Sequence, residues 1–61
     1  MALTFQVYKD KAGEFRWTLK ASNGEPIGDS NEGYKAKADL LHAIDLIQKG
    51  AAEAKIKDEA A

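Results

Sequence analysis

Residues 3–9 alternate in polarity, with Leu3, Phe5 and Val7 on one parity and Thr4, Gln6 and Tyr8 on the other. A period of two marks a half-buried strand. Residues 14–21 repeat it, with Phe15, Trp17 and Leu19 set against Arg16, Thr18 and Lys20. Two turn signals of the same form, Lys11-Ala12-Gly13 and Ser22-Asn23-Gly24, bracket this second run. A three-residue loop at the first sets Val7 opposite Trp17, Phe5 opposite Leu19 and Leu3 opposite Ala21. A four-residue loop would set Val7 opposite Arg16 and divide the apolar face, because a one-residue slip turns every side chain over. The three-residue loop is therefore expected, with Gly13 in the left-handed conformation that closes a type I turn with a bulge.

Asn23-Gly24 is also the signal for a two-residue type I′ turn. That loop would pair Lys20 with Ile27 and place Ile27 on the polar face. A three-residue loop pairs Leu19 with Ile27 instead and is the expectation, with Gly24 left-handed. Pro26 cannot donate to a ladder, so the third strand should be short, near 25–30. Residues 31–35 form a connection, and helical periodicity runs from about Ala36 to about Lys49. At about 100° per residue, Leu40, Leu41, Ile44 and Ile47 share one stripe of ~120° that should cover the sheet. Asp39 near the start and Lys49 near the end complement the helix dipole. Gly50 is expected to end the helix in a left-handed cap. No Ser, Thr, Asp or Asn stands before Ala36, so the helix start lacks a side-chain cap. Residues 54–58 alternate weakly and read as a short last strand, and residues 59–61 as a frayed tail. The expected fold is α+β: a β-β-β-α-β unit whose antiparallel sheet carries one helix on one face. It forms a single domain over residues 1–61, folded over about 3–58.

Composition adds a reason to expect association. Hydrophobic residues make up 44% of the 61, yet eleven of them are alanine. A core this small leaves little net stability at this chain length. There is no cysteine and only one histidine, so neither a disulfide nor a structural zinc is expected to staple the fold. A second copy is the remaining source of stability. The net charge of -1 excludes a strong global field for nucleic acid or an anionic membrane. No apolar run approaches the ~20 residues of a membrane span, so no membrane partner is expected. No basic-then-apolar leader opens the chain, and a cytoplasmic location is the expectation.

The run Tyr8-Lys9-Asp10, Gly13-Glu14-Phe15-Arg16-Trp17, Leu19-Lys20-Ala21 and Asn23-Gly24 resembles the YegP-like family of small bacterial domains of unknown function. The resemblance extends through Glu32-Gly33-Tyr34 and Ala43-Ile44 of the helix, covering residues 4–58. It implies a β(3)-α-β unit that occurs as a tandem pair or as two subunits, hence a homodimer for a chain with one unit. Ala36 departs from the pattern, which usually has Ser or Thr at a helix cap there. The family brings no cofactor and no catalytic residues.

Candidate chemistry is sparse. His42 is the only imidazole and stands on the side of the helix away from the apolar stripe, as does Leu46; both read as interface residues. Asp39 and Asp45 face different directions and make no acid/base pair. Ser22 and Ser30 read as turn residues. The glycines are scattered and form no phosphate-cradling loop, and Gly33 reads as relieving a bend before Tyr34. Trp17, on the inward parity, reads as a core anchor. The outward face of the first two strands pairs Tyr8 with Arg16, Gln6 with Thr18 and Thr4 with Lys20, with Lys9 and Lys11 at its rim. It is the candidate ligand face, and an aromatic with four cations could follow a single-stranded nucleic-acid backbone. The leading expectation is a non-enzymatic, self-associating binding or structural module.

Overall fold

The computed structural model describes residues 2–60; Met1 and Ala61, the last residue of the expected tail, lie outside the described residues. Strands β1 (Thr4–Lys9), β2 (Phe15–Lys20) and β3 (Pro26–Asp29) form an antiparallel sheet in that order, followed by the helix α1 (Lys37–Gly50). β1 and β2 take the expected register, with Phe5 opposite Leu19, Val7 opposite Trp17 and Tyr8 opposite Arg16. The turn between them is the expected three-residue loop. Gly13 N–H donates to the Asp10 carbonyl at 3.0 Å, Asp10 N–H donates to the Glu14 carbonyl at 2.8 Å, and Gly13 sits at φ 82°. Asp10 also braces the turn with its side chain, Oδ1 accepting from Ala12 N–H at 2.9 Å and Glu14 N–H at 3.0 Å. Aspartate suits the first position of a type I turn for this reason.

The second turn repeats the first. Gly24 N–H donates to Ala21, Ala21 N–H donates to Glu25, and Gly24 has φ 88°. Ile27 nevertheless misses its expected partner. Lys20 pairs with Pro26 while Leu19 pairs with Gly28, so Ile27 is the extra residue of a bulge and is 57% exposed. Pro26 has no N–H to fix the next rung, and the strand slips past it.

Past β3 the chain leaves β2 and returns to it. Ser30 N–H donates to the Trp17 carbonyl at 3.0 Å, and Ser30 Oγ accepts from Trp17 N–H at 3.1 Å. The hydroxyl stands where a regular ladder has a backbone carbonyl. Ser30 is therefore a buried joint of the sheet, not the turn residue its neighbours suggest. Residues 31–33 loop outward, and Tyr34 pairs with Phe15 through backbone bonds of 2.7 and 2.8 Å. Glycine is needed at position 33 because Glu14 crosses it: a Cβ there would lie 2.6 Å from the Glu14 Cβ. Close approach, rather than a bend, explains this residue.

Ala36 precedes α1 in an extended conformation without a side-chain cap, as the sequence implies. Leu40 is wholly buried, Ile44 is buried and Ile47 half-buried. Leu41 leaves the expected stripe and is 47% exposed, because α1 packs chiefly over the central strand β2 and its apolar arc has nothing to meet beyond. Gly50 is right-handed, at φ -112°, and does not cap the helix in the left-handed way. Ala51 N–H still donates to Ile47, and the chain tightens into a 3-10 turn at Ala51–Glu53. Alanines extend a helix without ordering a side chain, so the last turn runs on. The expected strand at 54–58 does not form. Residues 54–60 have no regular structure and Ile56 is 95% exposed. One apolar side chain cannot hold a strand that has no neighbouring backbone.

Candidate functional site

The outward face of the sheet brings most of the ligand-face residues together. Tyr8 lies opposite Arg16 and Thr4 opposite Lys20, with Tyr8 43% exposed. Arg16 is not a free cation: its Nε donates to Asp10 Oδ2 at 2.6 Å. The Arg16 guanidinium, then the Glu14 amide, hold the Asp10 carboxyl below its ordinary value of 3.8, and Asp10 in turn raises the guanidinium. Asp29 joins the same face opposite Thr18. Arg16 and Lys20 are thus balanced there by Asp10 and Asp29. Lys9 does not stand at the rim of this face. It shares the parity of Phe15, and its ammonium lies over that ring at 5.0 Å from the centroid, a cation–π contact on the helix side. Lys11 is an exposed residue of the first turn. Aspartate at the head of a turn, six residues before an arginine, is the signal that foretells the pairing of Asp10 with Arg16.

The inward face is only half covered. Phe5 and Trp17 meet edge to face with centroids 5.2 Å apart, and Trp17 is half-buried rather than enclosed. On the β1 side a groove of about 410 Å³ is lined by Leu3, Phe5, Leu19, Ile47, Gln48 and Ala51. Leu3 is 53% exposed. Leu41, seven residues before Gln48, lies on the same side of α1. The outer edge of β1 is also open, since β2 is its one neighbour among the described residues. Phe15 and Trp17 turn their backbone groups toward Tyr34 and Ser30. By the alternation of an antiparallel ladder, Thr4, Gln6 and Tyr8 bond to β2, while Phe5, Val7 and Lys9 present N–H and C=O groups to the open edge.

His42 and Leu46, one turn apart, lie on the exposed back of α1, Leu46 at 60% exposure. Asp45 is drawn instead to Lys49 at 3.1 Å. Among the described residues no group of three or more His, Cys, Asp or Glu could hold a metal, and no helix is long and apolar enough to cross a membrane.

The family model described as a domain of unknown function, DUF1508, matches residues 10–58. The chain belongs to this family. The match agrees with the YegP-like resemblance and includes both turns, the Asp10–Arg16 pair and the helix. A UPF0339 protein of Agrobacterium fabrum is 56% identical to this DUF1508 domain over 90% of the chain and 87% of that protein. A UPF0339 protein from the ptx operon 5′ region of Stutzerimonas stutzeri is 51% identical over 84% of this chain, but over 45% of its own length. A solution structure of an Agrobacterium tumefaciens protein superposes on the DUF1508 domain with a TM-score of 0.79 at 51% identity, covering 93% of this chain and 90% of that one.

Proposed function

We propose that this domain is a non-catalytic, self-associating module whose second copy covers the open flank along β1. One observation carries the reading: an apolar flank and an unpaired strand edge lie side by side. An edge of six residues with neither proline nor bulge is normally covered or paired. Leu3 lines a groove that is apolar on its sheet side, and Leu41 is exposed on the same side of α1 as Gln48. A relative of about twice this length supports a body made of two units. Residues 54–58 have no regular structure and hold Ile56 almost fully exposed between Lys55 and Lys57, and we assign that segment to the flank of the other copy. Backbone bonds from Phe5 and Val7 would hold the segment while the groove takes the isoleucine. Single-stranded nucleic-acid binding through Tyr8, Lys9, Lys11, Arg16 and Lys20 has weaker support, because Arg16 and Lys9 are engaged and carboxylates balance the outward face.

Sedimentation velocity of Leu41→Asp, Ile56→Asp and Leu46→Asp variants tests the assignment. All three positions are exposed, so folding should survive. The first two should shift the chain toward monomer with helical content kept, and Leu46→Asp should not. Monomerisation by Leu46→Asp alone would move the interface to the back of α1 with His42. No change in any variant would contradict self-association through either surface.

A further inference from the structure

The β2–β3 turn contains an Asn-Gly pair whose reactive groups are both engaged. Gly24 N–H donates to the Ala21 carbonyl at 2.9 Å, and Asn23 Oδ1 accepts from Glu25 N–H at 3.1 Å. Both residues are exposed, so water reaches them freely. Gly24 has no Cβ to hinder its own nitrogen. We infer that Asn23 is a spontaneous deamidation site, held back by the folded turn and released when the turn opens.

The chemistry needs only water and base. With the turn open, the Gly24 backbone nitrogen loses its proton to base and attacks Cγ of Asn23. A new C–N bond closes a five-membered succinimide, and the bond to the carboxamide nitrogen breaks, releasing ammonia with a proton from water. A second water then opens the ring at either carbonyl, giving aspartate or isoaspartate. The net change is exchange of an NH₂ group for OH, with nothing oxidised or reduced. In the closed turn, the proton that must leave is held by Ala21, and Glu25 holds the carboxamide oxygen in place. Ser22, Asn23 and Gly24 are exposed and stand outside the buried pair Leu40 and Ile44, so the turn can open without global unfolding.

The two products differ in consequence. Aspartate keeps an oxygen for Glu25 N–H and suits the turn. Isoaspartate adds a methylene to the main chain of a three-residue loop whose closing bonds, Ala21 to Glu25 and Gly24 to Ala21, leave no slack. Asn31 is an internal control, since it is also exposed but precedes Glu32, whose side chain shields the attacking nitrogen.

The experiment incubates the whole chain, folded and in concentrated urea, in one mildly alkaline buffer. Peptide mapping by mass spectrometry follows Asn23 and Asn31, with isoaspartate quantified separately. In urea, Asn23 should react well before Asn31. In the folded chain it should react about tenfold more slowly, as for a turn open about a tenth of the time. Asn23→Asp should leave the thermal melt unchanged. Equal rates in folded and unfolded chains would overturn the protection by the turn, and an Asn23 no faster than Asn31 in urea would overturn the site.

Discussion

Ser30→Ala removes one oxygen and should cost more than any surface change of that size. Ser30 is 8% exposed, and its Oγ is the acceptor for Trp17 N–H. Deleting one atom leaves a small cavity, so the orphaned amide dominates the loss. An unsatisfied, part-buried donor costs about 1–3 kcal/mol. At roughly 0.05–0.15 kcal/mol per residue a domain of 61 residues holds only about 3–9 kcal/mol in all. At this size 1 kcal/mol moves Tm by about 4–8 °C, so the variant should melt about 4–24 °C lower. Thermal melts by circular dichroism read the global loss. Amide exchange by NMR reads the local cause, because protection of the Trp17 amide should fall before that of Leu19. A melt within about 2 °C of the parent, with the Trp17 amide still protected, would refute the role given to the hydroxyl.

Leu40→Ala deletes the one fully buried large side chain among the described residues and should cost about 2–5 kcal/mol, leaving the domain near its unfolding threshold in urea titration. Gly33→Ala should destabilise by displacing Glu14, and the double variant with Glu14→Gly should recover part of the loss; no recovery would detach the two residues. Asp10 has a folded pKa below its ordinary 3.8, so its contribution is fully present above that value and is lost as pH falls through the lower folded one. The stability difference between parent and Asp10→Asn should accordingly be constant at neutral pH and shrink in acid melts below about pH 4. A labelled oligonucleotide at low salt should show no binding at ~100 μM, where non-specific binders commonly respond, and binding there would revive the nucleic-acid reading.

Period-two patterning, together with the spacing of Gly13 and Gly24, was enough to read the meander and the β1–β2 register. At Gly13 only the three-residue loop keeps the apolar parity together, and at Gly24 the same preference chose between two loop lengths. Ile27 escaped the same logic because Pro26 withholds the rung that would carry parity onward. Leu41 escaped because a helical stripe says which side chains are apolar, not how wide the surface beneath them is. Ser30 looked like punctuation, since its burial depends on a pairing thirteen residues back along the chain. The outward face was legible as a set of neighbours, but not as an electrostatic surface: the bond from Arg16 to Asp10 and the turn of Lys9 onto Phe15 decide its charge. The strand expected around Ile56 depends on a backbone that a single chain does not put beside it.

Sedimentation equilibrium of the unmodified chain, over a dilution series down to sub-micromolar concentration, tests self-association itself. Self-association through the β1 flank predicts a species of twice the 6.6 kDa chain mass that dissociates only on dilution. A folded species of 6.6 kDa at every concentration would contradict it, leaving the β1 flank and edge exposed without a second copy to cover them.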